Sequence, residues 1–184
     1  MTDHGEHEAT GSRILILEDE EWDAELARRL LRDAGLQFTA LVVDTPDVFT
    51  RQLSEFGPDV IISDYSLPGF TGADALRIAR KLCPQVPFIV WSGVLGDEAA
   101  VELIKAGATD YILKDRPARL PSAVTRALEE ARQRARLADI EAQLGRAQHL
   151  ASVGRLTSAQ QAVDATREML AEARNEVTSA EQQP

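Results

Sequence analysis

Cysteine is almost missing from this sequence, and long apolar runs are missing altogether. Cys83 is the only cysteine in 184 residues, which excludes a disulfide framework and a cysteine-built metal cluster. It stands at the end of a helical pattern, just before Pro84, and reads as a small core residue. No stretch of about 18 apolar residues occurs, and the opening MTDHGEHEATGS is polar throughout, without a charged-then-apolar leader. The expectation is a soluble, cytoplasmic protein with no membrane partner and a disordered start over residues 1–12. Positive charge is also in deficit: 20 Lys and Arg stand against 30 Asp and Glu, for a formal charge of −10. Such a balance disfavours nucleic acid as the main partner, because a phosphate backbone would be repelled.

What is present is an alternation. RILIL (13–17), FTALVV (38–43), DVIIS (59–63), PFIVW (87–91) and DYILK (110–114) are short, near-continuous apolar runs, as expected of strands covered on both faces. Helix patterns lie between them. They cover 21–34, ending at Gly35; 46–55, with Thr45 as N-cap and Pro46 as first helical residue; 72–82, ending before Pro84; and 97–106, ending at Gly107. Strict strand-helix alternation with short connections predicts an α/β fold with a parallel sheet wrapped by helices.

In such a sheet, ligands collect outside the carboxyl ends of the strands. Those ends carry Glu18, Asp19 and Glu20 after the first strand, Asp64 after the third, Ser92 and Gly93 after the fourth, and Lys114 at the fifth. Each has an ordinary explanation by itself. EDEE suits a solvated helix start, Asp64 a turn cap, SLPG a turn, and Lys114 the surface. Their coincidence at one sheet edge favours a site instead. Carboxylates within reach of one another repel unless a cation neutralises them, and hard oxygen ligands suit Mg²⁺. The Ser92 hydroxyl and the Lys114 ammonium would then grip an anion held against the metal, and a phosphoryl group fits.

These residues carry a family resemblance. Over roughly 13–130 the sequence resembles the receiver domain of two-component response regulators. ILILEDEEWDAELARRLL is similar to the family's first strand and acidic pair, and DVIISDYSLPGFTGADALRIAR to its phosphoacceptor strand and loop. PFIVWSG resembles the strand ending in a hydroxyl, and AGATDYILKD the strand bearing the switch aromatic and the lysine. The resemblance implies a flavodoxin-like doubly wound five-stranded sheet of order 2-1-3-4-5 over residues 13–120. It also implies roles. Asp64 would be the phosphoacceptor, and Glu18, Asp19, Asp64 and the backbone carbonyl of Ser66 would hold Mg²⁺. Ser92 and Lys114 would bind the phosphoryl oxygens, and Tyr111 would be the aromatic that swings inward as Ser92 moves. A histidine kinase is the implied phosphodonor.

Two departures from the family pattern stand out. Lys114 is followed by Asp115 where a proline is common, so the loop into the last helix should differ in shape. The positions two residues beyond Asp64 and Ser92 are Ser66 and Val94, neither suited to orienting a water, so a long-lived acyl phosphate is expected. Ser66 also weighs against the alternative of a Mg²⁺-dependent aspartyl-phosphate phosphatase, since haloacid-dehalogenase-like enzymes usually have a second aspartate there. The expected protein is a signalling receiver, not an enzyme acting on a separate substrate.

From Ile112 onward there is no Phe, Trp or Tyr. A segment so rich in Ala, Arg, Glu, Gln and Leu reads as long helix over 121–184, one rod or a hairpin bent near Gly145 or Gly154. Leu137, Ile140, Leu144, Ala147 and Ala151, then Val163, Leu170 and Val177, form a narrow heptad-like stripe that needs a partner helix. A homodimer through a coiled coil or helix bundle is the economical answer. LGRAQHLASVGRLTSAQQAVD (144–164) resembles the first helix of histidine-kinase dimerisation domains, with Ala162 where the phosphorylated histidine would stand. His149 lies too early to replace it, and no Gly-rich loop for ATP follows. The expected protein is thus a stand-alone regulator that contacts a downstream protein. It has no basic recognition helix for DNA, because eight arginines face nine acids after residue 120.

Overall fold

A computed structural model describes residues 11–93 and 96–180, with side chains omitted at 97, 147–160, 162, 163 and 172–180. Residues 1–10 and Val94 lie outside the described residues, and with them most of the expected disordered start.

The first strand, β1, spans Ser12–Leu17, followed by α1 (Glu21–Asp33), β2 (Phe38–Val43), α2 (Pro46–Glu55) and β3 (Val60–Ser63). Two short strands come next, β4 (Ser66–Leu67) and β5 (Phe70–Thr71). The chain continues through α3 (Gly72–Leu82), β6 (Phe88–Ser92), α4 (Asp97–Lys105), β7 (Asp110–Leu113) and α5 (Arg119–Ala180). The main sheet has the order β2-β1-β3-β6-β7, all pairs parallel. This is the doubly wound, flavodoxin-like arrangement, with β6 and β7 as its fourth and fifth strands. β4 and β5 form a separate antiparallel pair, Ser66 opposite Thr71 and Leu67 opposite Phe70. SLPG is therefore the bend of a miniature hairpin, and Gly69, at φ +69°, takes the left-handed conformation that its missing side chain permits.

The apolar runs are continuous because both faces of the sheet are covered. Ile14, Ile16, Val60, Ile62, Ile89, Trp91 and Ile112 point to one face, under Ala24, Ala27 and Leu31 of α1 and Leu120, Val124 and Leu128 of α5. Leu15, Leu17, Ile61, Phe88 and Val90 point to the other, under Phe49 and Leu53 of α2, Leu76 and Ala79 of α3, and Leu103 of α4. Each large aliphatic side chain so buried contributes roughly 1.5–3 kcal/mol. Cys83, half-buried at the C-cap of α3, packs against the second layer, and burial pushes its thiol pKa up. At the amino edge of the sheet, half-buried Arg80 donates to the carbonyls of Pro84, Val86 and Gly107, tying the entries of β6 and β7 to α3.

The chain divides into two compact units, one ending at Arg134 and the other running from Ala135. The first unit keeps the opening of α5, where Leu120, Ala123, Val124, Ala127 and Leu128 are all buried. Pro121 is harmless there, because the first turn of a helix has no use for its N–H. In the second unit the helix passes through Gly145 and Gly154 without a break, so no hairpin forms there. Leu137, Ile140, Leu144 and Leu170 are each more than half exposed.

Candidate functional site

Register decides what the carboxyl edge of the sheet carries. Leu17 pairs with both Val43 and Ser63, and Ser92 pairs with Leu113. The next residues, Glu18, Asp64 and Lys114, therefore leave the sheet side by side. Backbone hydrogen bonds continue each strand by one step. Glu18 N–H donates to the Val43 carbonyl (2.9 Å), Asp64 N–H to that of Leu17 (2.8 Å), and Lys114 N–H to that of Ser92 (2.8 Å).

Three carboxylates meet there. Glu18, Asp19 and Asp64 each offer an oxygen lying within 4.8 Å of the other two. Glu18 is buried, Asp64 partly buried and Asp19 exposed. The Asp64 Oδ1 accepts from the Tyr65 N–H at 2.6 Å, which orients the carboxylate. Its backbone carbonyl accepts from the buried Ser63 hydroxyl at 2.7 Å. That carbonyl is also why residue 72 is glycine, since a Cβ at Gly72 would lie 2.7 Å from it.

Lys114 sits among these acids. Its Nζ lies 2.8 Å from Glu18 Oε2, 2.6 Å from Asp23 Oδ2 and 3.3 Å from Asp64 Oδ2. It also lies 5.4 Å from the centroid of the Trp91 ring, within cation–π range. Trp91 is itself buried, and its indole Nε1 has no hydrogen-bond partner among the described residues. Burial is the strongest influence on both titrating partners. It drives the Glu18 pKa up to about 7, helped by the neighbouring Asp64 charge and opposed by Lys114. It also disfavours the Lys114 ammonium, but the hydrogen bonds to Asp23 and Glu18 and the charges of Glu18 and Asp64 outweigh it, so the lysine pKa rises.

The donor set suits a hard divalent cation. A cluster of carboxylate oxygens, one of them on a residue whose ionisation burial opposes, is the chemistry that Mg²⁺ relieves. Of the residues singled out in the sequence, Glu18, Asp19, Asp64 and Lys114 come together, and buried Ser92 adjoins Lys114 through the backbone. Ser66 is exposed and lies in β4, paired with Thr71. Tyr111 lies half-buried on β7, beside Val90 in the sheet, and packs against the second core layer. Asp23 is the participant that sequence reasoning missed. It lies in the first turn of α1, where an acidic residue is explained by the helix dipole alone and raises no further question.

After Lys114, the loop closes with Arg116 N–H donating to the Leu113 carbonyl and Leu120 N–H to that of Pro117. With the Arg119 N–H donating to the Arg116 carbonyl between them, these turns carry the chain into α5 past Asp115.

Comparison with known proteins agrees with this geometry. A family model described as the response regulator receiver domain matches residues 14–125. The chemotaxis protein CheY of Thermotoga maritima is 27% identical over 117 residues, which cover 63% of this chain and 97% of CheY. The DNA-binding response regulator MtrA of Mycolicibacterium paratuberculosis is 32% identical over 102 residues, 55% of this chain but only 44% of MtrA. The chain thus spans less than half the length of that relative. Among solved structures, a signal receiver domain from Vibrio parahaemolyticus superposes with a TM-score of 0.64 at 25% identity, covering 69% of this chain and 97% of that one. NtrX from Brucella abortus gives 0.64 at 28% identity, covering 71% of this chain and 30% of NtrX. No helix among the described residues is long and apolar enough to cross a membrane. The carboxylate cluster, the lysine facing it, the strand order and the family match lead to one conclusion: this chain belongs to the response regulator receiver domain family.

Proposed function

We propose that the chain is a response regulator receiver that accepts a phosphoryl group on Asp64 from a histidine kinase, in a Mg²⁺-dependent reaction. The observation that carries this reading is the ion-pair contact of Lys114 with both Asp64 and Glu18, inside a cluster of three carboxylates. Asp64 is the partly buried carboxylate whose Oδ1 is held by its neighbour's N–H, which leaves Oδ2, facing Lys114, as the nucleophile. That oxygen forms a bond to phosphorus while the P–N bond of the donor phosphohistidine breaks. The electron pair of the broken bond stays on the imidazole nitrogen. Glu18, Asp19, Asp64 and the Ser66 carbonyl would hold Mg²⁺, which when bound supplies positive charge against the phosphoryl oxygens.

Lys114 contributes the charge that the protein itself brings to those oxygens, and the Ser92 hydroxyl donates to one of them. As Ser92 closes on the phosphoryl group, Tyr111 turns inward into the space it leaves. The surface around α4, β7 and the start of α5 then changes shape for a downstream protein. The chain works as a homodimer through its C-terminal helix, a kinase-derived dimerisation element without a histidine at Ala162. The receiver comprises about residues 13–120 with the α5 turns that pack on it, and the helical extension follows. With Ser66 two residues beyond Asp64, the acyl phosphate is long-lived, which favours a signalling receiver over a phosphatase.

Intact mass measured after incubation with Mg²⁺ and acetyl phosphate tests the reading. One phosphoryl adduct on wild type and none on Asp64→Asn is the expected outcome. Equal behaviour of the two proteins would sink the assignment.

A further inference from the structure

Lys114 Nζ donates hydrogen bonds to Glu18 and Asp23, while its contact with Asp64, at 3.3 Å, is an ion pair without a hydrogen bond. A shift of the ammonium towards a phosphoryl oxygen on Asp64 lengthens one of those two hydrogen bonds. Glu18 is buried directly after β1 and its carboxylate accepts from the Glu20 N–H, so its freedom to follow the lysine is small. Asp23 differs on each count. It comes from α1 and not from a strand end, its side chain is 29% exposed, and its contact with Nζ is the shortest of the three at 2.6 Å. Asp64, the residue to be modified, is the most distant at 3.3 Å. The lysine is thus drawn towards the helix and away from the nucleophile.

We propose that Asp23 is a positioning residue that holds the Lys114 ammonium in the resting protein and releases it as Asp64 takes a phosphoryl group. This rests on the phosphoacceptor reading above and adds a residue to it. In the reaction with acetyl phosphate, an Asp64 oxygen bonds to phosphorus as the donor's P–O bond breaks, and acetate leaves with the electron pair. The lysine exchanges its Asp23 contact for a phosphoryl oxygen, and Asp23 takes up water. The strength of the resting contact therefore opposes phosphorylation and favours loss of the group.

Two measurements on the full chain test this. The first needs no phosphorylation: the ¹⁵N-detected Lys114 ammonium resonance in metal-free protein. It should exchange slowly with solvent in wild type and in Asp23→Glu, and fast in Asp23→Asn. Unchanged protection in Asp23→Asn overturns the proposal, whatever the site's chemistry. The second is the rate of adduct formation with Mg²⁺ and acetyl phosphate. Asp23→Asn should speed it by roughly two- to tenfold through the maximal rate, with Asp23→Glu near wild type. Glu21→Gln removes the same charge from the same helical turn without touching the lysine, and should have a smaller effect. Equal acceleration by Glu21→Gln and Asp23→Asn would reduce the effect to net charge and overturn the positioning role. A wild-type protein that takes no adduct at Asp64 would instead sink the phosphoacceptor reading, while the resonance still decides whether Asp23 holds the lysine.

Discussion

Glu18 couples the site to pH. Its folded-state pKa is raised from an ordinary glutamate's 4.5 to about 7, so between those values the folded protein binds a proton that the unfolded chain has lost. Stability of the metal-free protein must then fall as pH rises from about 4.5 to 7 and level off above. Lys114 acts in the opposite sense. Its raised pKa gives stability below the ordinary lysine range that is lost only in strongly alkaline solution. Near neutrality Glu18 therefore sets the slope. Thermal melts in chelator from pH 5 to 8 should show wild type losing stability towards pH 7. Glu18→Gln, which keeps an acceptor for Lys114 but no charge, should flatten that slope and melt higher at pH 8, and saturating Mg²⁺ should reduce the difference. A wild-type curve that rises across this window would refute the assignment. The acids at 18, 19 and 64 and the lysine at 114 were visible in the sequence because each ends an apolar run. Asp23 was not, because its contact to Lys114 spans 91 residues of chain and nothing local requires it.

Among the elements, the start of α3 fixes the geometry of the phosphoacceptor loop. Thr71 is the N-cap, with a reciprocal capping box to Asp74, and the Thr71 hydroxyl and Arg77 keep the Asp74 carboxyl below its usual range. Gly72 N–H donates to the Tyr65 carbonyl, and its Cα side faces the Asp64 carbonyl. These two neighbours separate stability from function. Thr71→Ala should cost about 1 kcal/mol in denaturant unfolding and leave adduct formation close to wild type. Gly72→Ala must displace the backbone of Asp64 and should lower both stability and the rate of adduct formation. A normal rate in Gly72→Ala would show that the loop tolerates the shift. The helix limits were readable because Gly35, Pro46, Pro84 and Gly107 punctuate them. The β4–β5 pair was not, since strands of two residues carry no periodicity. Nor does the change in composition near residue 121 mark the end of the packed unit. Leu120, Ala123, Val124, Ala127 and Leu128 follow the i, i+3, i+4, i+7, i+8 spacing of a core-facing helix, a signal masked by the lack of aromatics around it.

For the whole molecule, that packing decides how the extension is to be tested. Removing everything after Leu120 would strip Val124, Ala127 and Leu128 from the core and unfold the receiver, confusing assembly with stability. Substitution in the full chain avoids this. Leu137, Ile140 and Leu144 are exposed and lie on one helical stripe. Changing all three to glutamate should give a monomer by light scattering, with the melting of the receiver unchanged, because none of them packs in its core. A triple variant that scatters light as the wild type does would exclude this stripe as a contact between copies. The stripe was legible as a pattern, because its spacing is local to one helix.

The two tryptophans divide the work of observing this protein. Trp22 is 82% exposed at the start of α1, while Trp91 is 1% exposed beneath Lys114. A neutral collisional quencher such as acrylamide silences the first and leaves the second. The remaining emission then comes from an indole whose ring centroid lies 5.4 Å from the Lys114 ammonium. The chain thus has an internal optical probe of its own site, readable without a label.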